Sequence, residues 1–129
     1  MRAVHIVGLS ALAGVALGAI AIQGLHAQAK PPVYAIVVID EITDPATDAA
    51  NAARTNEAAA AAFRDTGGRY VARTTKITGM DGSPPKRVII ARFDSAEKAQ
   101  AWYNSPEQKK VNDIRMKSTK SRMFIVEGM

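Results

Sequence analysis

The chain contains no cysteine. Disulfides, thiolate nucleophiles and cysteine-ligated metals are therefore unavailable, and stability has to come from packing or from a partner subunit. Histidine is almost as scarce: His5 and His26 both precede Lys30, in a segment that reads as a leader. With that leader removed no imidazole is left, which takes away the commonest general base, histidine-ligated haem and the usual zinc sites. Neither a P-loop nor a G-x-G-x-x-G occurs, so the usual nucleotide signatures are missing. The aromatic platform sequence of RNA-recognition domains is also missing, and a nucleic-acid role is not expected. No metal and no cofactor is expected.

What is present at the amino terminus has the pattern of a secretion signal. Arg2 gives a positive start, Ile6 to Ile22 is apolar or small throughout, and Ala27-Gln28-Ala29 is a small-x-small cleavage site. The expected organisation is a signal peptide over residues 1–29 and one domain over residues 30–129, periplasmic or secreted, with no stable membrane insertion after cleavage. The alternative is an uncleaved anchor, since the apolar run lies near the lower length limit for crossing a bilayer. Against it, the run is rich in Gly and Ala and no basic stop-transfer cluster follows. The chain carries a net charge of +5. Such a balance mildly favours anionic ligands or membrane surfaces but usually marks only a solvated surface.

The best-signed piece of the domain runs from Arg87 to Gln108. Val88, Ile89, Ile90, Ala91 and Phe93 form an apolar, β-branched run suited to a strand buried on both sides. Ser95 is placed to N-cap a helix in which Ala96, Ala99, Trp102 and Tyr103 recur at helical spacing. Ser105, Pro106 and Gln108 resemble a capping box, so the helix restarts in a new direction and runs to about Lys117. Upstream, Val33 to Ile42 is the first strand, and Asp44-Pro45 opens an alanine-rich helix reaching Thr66. Its inward face, placed near Ala49, Ala53, Asn56, Ala60 and Phe63, is thin enough for the helix to lie close to the sheet, and Gly67-Gly68 stops it. Arg69 to Thr78 pairs as a hairpin with the strand from Arg87 around Gly79 to Pro85, and Arg122 to Glu127 is the last strand.

The order βαββαβ describes an α+β fold. Right-handed crossovers place both helices on one face of a four-stranded antiparallel sheet. The other face is left bare while carrying Ile36, Val38, Val88 and Ile90, a large exposed patch for a monomer. A homodimer packed sheet to sheet, enclosing a space between the subunits, resolves this. Alternation puts Tyr34, Asp40 and Arg92 on the bare face, and Arg73 is expected to join them from the neighbouring strand. One reading is a mostly apolar pocket for a small molecule, with Asp40 as candidate base and Arg73 or Arg92 as anion holders. The other is an ion pair between Asp40 and an arginine that fixes the dimer's register. Trp102 and Tyr103 read as core, and Arg115 as a structural arginine reaching a carboxylate or helix-terminal carbonyls.

Gly67 to Tyr70 (G-G-R-Y), Pro85 to Phe93, Ala101 to Glu107 (A-W-Y-N-S-P-E), Arg115 and Glu127-Gly128 together resemble the family catalogued as domain of unknown function 1330, over essentially the whole domain. The resemblance implies a ferredoxin-like subunit of the dimeric α/β-barrel superfamily, which includes small monooxygenases, isomerases and pure ligand binders. The chain departs from the family's pattern in its alanine and asparagine stretch, at Thr74-Thr75, with Arg92 before Phe93, and at Gln108 and Asp81.

Two functions follow from these observations. The first is an exported homodimer that binds a small apolar or weakly anionic molecule between its two sheets. The second is a cofactor-independent monooxygenase or isomerase with Asp40 as base. The missing histidine favours binding over catalysis. The leader makes its own prediction: protein recovered from the extracytoplasmic fraction should begin at Lys30 by mass spectrometry, and a chain retaining Met1 in the membrane pellet would reject the cleavage.

Overall fold

Alternation along the strands sets the architecture. The computed structural model describes residues 31–53 and 57–129; the leader expected over residues 1–29, and Asn56, lie outside the described residues. Strand β1 (Val33–Ile42) buries Val33, Ala35, Val37 and Ile39 to 5% exposure or less, while Tyr34, Ile36 and Val38 between them are half-buried. Helices α1 (Pro45–Ala53) and α2 (Glu57–Asp65) follow, then β2 (Arg69–Thr74), β3 (Arg87–Phe93), α3 (Ala96–Tyr103), α4 (Pro106–Ser118) and β4 (Thr119–Glu127). The strands lie in the order β2-β3-β1-β4, every neighbouring pair antiparallel. This is the expected α+β arrangement, and the helices pack on the face that carries Val33, Ala35, Val37 and Ile39.

The helix ends are built as their residues dictate. Asp44 caps α1, its Oδ1 accepting from Thr47 N at 3.1 Å and its Oδ2 from Thr47 Oγ1 at 2.7 Å, and these bonds hold the Asp44 carboxyl below its usual range. Gly67, at φ 80°, ends α2 in a Schellman motif: its N–H donates to Arg64 O at 2.9 Å and that of Gly68 to Phe63 O at 2.8 Å. A Cβ on Gly68 would sit 2.4 Å from the Phe63 ring, so this glycine is needed for close approach. Ser95 Oγ accepts from Lys98 N at 3.2 Å and Ser105 Oγ from Gln108 N at 3.3 Å. Only half of the expected capping box forms, because the Ser105 N–H donates to Trp102 O and the Gln108 side chain turns inward to Asn112.

Other differences have local causes. The second strand ends at Thr74 rather than Thr78, since Thr74 Oγ1 accepts from Lys76 N at 2.9 Å and turns the chain. Tyr103 is 43% exposed while Trp102 is 8% exposed; adjacent helical residues point about 100° apart and only one can face the core. Ala49, expected inward, is exposed, and Asp48 takes the inward position at 6% exposure. The last strand begins at Thr119, three residues earlier than the apolar pattern suggests.

The core lies toward the Val33 and Phe93 end of the sheet. Phe63 meets Phe93 and Trp102 edge-on, with ring centroids 5.7 and 5.8 Å apart, and stacks on Tyr70 at 4.7 Å. On the opposite face the register sets Tyr34 beside Arg92, Ile36 beside Ile90 and Val38 beside Val88, with Val126, Phe124 and Arg122 across β1 from them. Phe124 and Val126 are 41% and 39% exposed, so the helix-free face of the single chain is apolar and uncovered.

Candidate functional site

Further along the covered face, beside the aromatic core, the two layers do not close. There β1 and β3 present Val37, Ile39 and Ile89, while α1 and α2 offer Ala52, Ala59 and Ala60, whose methyl groups are too short to fill the gap. The result is a cavity of about 510 Å³ between sheet and helices. The alanines were expected to bring the helix down onto the sheet; instead they leave space. Phe63, Trp102 and Met123 complete its apolar wall.

Polar groups enter the wall from two elements. Arg87, at the start of β3, grips Asp48 of α1 with both ends of its guanidinium, Nη2 to Oδ1 at 2.6 Å and Nη1 to Oδ2 at 3.2 Å. Helix α4 contributes a buried polar stripe. Gln108, Asn112 and Arg115 follow one another at helical spacing with exposures of 9%, 4% and 8%. Gln108 Nε2 donates to Asn112 Oδ1 at 3.0 Å, and Asn51 Nδ2 donates to Val111 O at 3.3 Å, tying α1 to α4. Arg115 Nη1 donates to Ser121 Oγ at 2.6 Å, and its Nε is buried without a hydrogen-bond partner. No carboxylate of the described residues pairs with it. Burial pushes this guanidinium below its ordinary range, against a smaller upward pull from Tyr103.

Of the four residues expected to share a site, the structure separates one, Arg73, from the other three. Tyr34 and Arg92 sit opposite one another on the helix-free face, and Tyr34 lies so close to Gly128 that a Cβ there would be 2.6 Å from its ring. Asp40, at the irregularity where β1 and β4 shift register, is 56% exposed at its side chain and lies 3.9 Å from Arg122 Nε. Arg73 is on the other side of the sheet. A bulge between Tyr70 and Ala72 shifts the register of β2, so Arg73 pairs with Ile89 and joins the cavity wall, its guanidinium 5.5 Å over the Tyr70 ring. The sequence patterns did not point to Asp48, Arg87 or Asn112 as site residues; they gave Gln108 a capping role and Arg115 a structural one. Counting back by twos from Phe93 and Ala91 would have placed Arg87 on the covered face.

The family described as a domain of unknown function, DUF1330, matches residues 32–129. The chain belongs to this family. No curated protein matches the sequence. Among solved structures, a protein of unknown function from Rhodopseudomonas palustris is similar at 14% identity and a TM-score of 0.61, over 78% of this chain and 84% of that one. A cofactor-independent oxygenase from Streptomyces nogalater is similar at 17% identity and a TM-score of 0.53, over 77% and 94%. A dimeric protein of unknown function with a ferredoxin-like fold from Bacteroides fragilis is similar at 14% identity and a TM-score of 0.50, over 75% and 96%. At such identities the likeness is one of fold.

For this DUF1330 domain the cavity therefore has to be read from its own residues. Among the described residues no group of three or more His, Cys, Asp or Glu could hold a metal ion, and no helix is long and apolar enough to cross a membrane. The Asp48–Arg87 pair is a structural element of the wall, with side chains only 9% and 19% exposed. Asp48→Asn should destabilise the domain by about 2–4 kcal/mol, since it leaves a buried guanidinium unpaired. Replacing both partners by apolar residues, Asp48→Leu with Arg87→Met, should restore most of that loss in urea unfolding. A loss in the double variant as large as the sum of the losses in Asp48→Leu and Arg87→Met alone would show that the pair is not coupled.

Proposed function

We propose that this domain is a binding module that takes a small, largely apolar molecule into the cavity between its helices and its sheet. The observation that carries this reading is the cavity of about 510 Å³, within the roughly 300–1,000 Å³ of ordinary ligand pockets and walled mainly by apolar side chains with a few polar groups. The location differs from the expected space between two sheets, because the volume lies inside one subunit. Binding is favoured over the enzymatic alternative because Asp48, the carboxylate on the cavity wall, is held by Arg87. Asp40 stands outside the cavity, so it is not placed to act as a base on a bound molecule.

Trp102 is the single tryptophan of the chain and lines the cavity, so its emission can report occupancy. Titration with a panel of six- to ten-carbon alcohols, amides and carboxylates should shift that emission and raise the melting temperature together, because a ligand present at 100 times its Kd stabilises the folded state by about 2.7 kcal/mol. Ala60→Phe, which places a ring in the cavity, should abolish both responses. Undiminished binding by that variant would place the ligand elsewhere.

The reading includes a homodimer formed through the helix-free face and a location outside the cytoplasm. Support for the dimer is the uncovered apolar surface of Ile36, Val38, Val88, Ile90 and Phe124, together with the dimeric Bacteroides fragilis neighbour of similar fold. Support for export is the leader pattern of residues 1–29. Ile90→Glu should convert a dimer at micromolar concentration into a monomer or an insoluble protein in sedimentation experiments. A soluble dimer unchanged by this substitution would remove that face from the interface.

A further inference from the structure

Helix α4 turns a polar stripe inward where an ordinary core helix turns aliphatic residues. Burying Gln108, Asn112 and Arg115 at 9%, 4% and 8% exposure has a free-energy cost unless their donors and acceptors are met, and the cost is greatest for the charge. The bonds within the stripe leave donors in excess. Gln108 Nε2 and Asn112 Oδ1 satisfy each other, but Asn112 Nδ2 has no partner among the described residues. Arg115 gives one of its five N–H groups to Ser121, and its Nε has no acceptor. The carboxylate on the same wall, Asp48, is already held by Arg87. One buried positive charge thus faces the cavity uncompensated, beside a free amide donor and an apolar wall.

We infer that the molecule taken into this cavity is a monocarboxylate, its charged end on Arg115 and Asn112 and its apolar body along Val37, Ile39, Ile89 and Trp102. This inference rests on the binding reading above and adds the chemical class of the ligand. A carboxylate supplies two acceptor oxygens in the plane that a guanidinium matches, and its single charge balances the single uncompensated cation. A phosphate dianion would bring more charge than this wall can neutralise. Arg64, Arg69 and Arg73 also line the cavity, but Arg64 pairs with Glu57 at 3.0 Å, Arg69 with Asp94 at 3.4 Å, and Arg73 lies over Tyr70. They belong to its exposed side and are not the primary anchor.

The test compares octanoate with octanamide, equal in length and differing in charge, by Trp102 fluorescence and calorimetry on the whole mature protein. Octanoate should bind at least tenfold more tightly, the scale of a charge-assisted hydrogen bond. The preference should disappear in Arg115→Gln, which should keep its octanamide affinity within about threefold, and should survive in Arg73→Gln. It should also fade in the wild-type protein as pH falls below about 5, where an aliphatic acid takes up its proton while arginine stays charged. Should Arg115→Gln fail to fold, Arg115→Lys keeps the charge and loses the fork, and a severalfold drop in octanoate affinity is expected. Equal binding of acid and amide would overturn the carboxylate inference and leave the binding module standing. A preference lost in Arg73→Gln but kept in either Arg115 variant would move the anion to the exposed arginines and overturn it too. Binding of neither probe, or of any other panel member, would overturn both readings.

Discussion

The Asp48–Arg87 pair is the constraint on which the covered face depends. It spans α1 and β3 with contacts of 2.6 and 3.2 Å, in a region where the helix otherwise has alanines. A long arginine side chain meeting a carboxylate end to end holds the layers further apart than methyl groups in contact would. Asn51, bonded to Val111 O at 3.3 Å, fixes the same helix laterally to α4. Layer separation at this end of the sheet is therefore set by hydrogen-bonded spacers, whereas at the other end it is set by Phe63, Phe93 and Trp102 in contact. The cavity is the space between these two regimes. Turning Asp48 inward also explains why Ala49, one residue on, points to solvent.

A second set of bonds holds Arg115 in position. Thr119 Oγ1 donates to Arg115 O at 2.6 Å and lies 2.9 Å from the Ser121 Oγ that receives the guanidinium. Ser118 Oγ donates to Ile114 O at 2.8 Å, and Ser118 O accepts from Thr43 N and Asp44 N at 2.9 and 3.1 Å. The end of α4 is thereby fixed to the start of both β4 and α1, and the arginine does not have to be ordered when a partner arrives. Pre-organisation of this kind lowers the conformational cost of binding. The buried charge is costly in the empty domain, and the proposed ligand would offset that cost.

How much of this was legible in the sequence depended on whether a feature was local. The Schellman turn at Gly67-Gly68, the Ser95 and Ser105 caps and the two-sided apolar strands are local patterns with one physical reading, and they place the four strands and the crossovers. The cavity is not local. Alanine on an inward face is compatible both with close packing and with a gap, and the choice between them is made by Arg87, some forty residues from the helix it props. Strand alternation puts Arg73 on the wrong face because it assumes an uninterrupted ladder, and the bulge at Val71 leaves no residue signature in R-Y-V-A-R-T. The spacing of Gln108 from Ser105 fits a capping partner. In the folded chain the Ser105 N–H is already bonded to Trp102 O, which frees the amide for the cavity.

These placements divide the sheet into surfaces with different chemistry. Tyr34, Asp40 and Arg92 share the helix-free face with Ile36, Val38, Val88 and Ile90, where the proposed contact with a second copy would cover them. The cavity face holds arginines and amides, and its carboxylate is already committed. Proton abstraction from a bound molecule would require Asp48 to leave Arg87, stranding a buried guanidinium at a cost of several kcal/mol. The similar fold of the Streptomyces nogalater oxygenase does not remove this obstacle, since a reaction follows from the side chains a fold carries. Arg115 meets no such obstacle. To receive an anion it need break no ion pair, and on that ground the wall is better suited to holding a charge than to moving a proton.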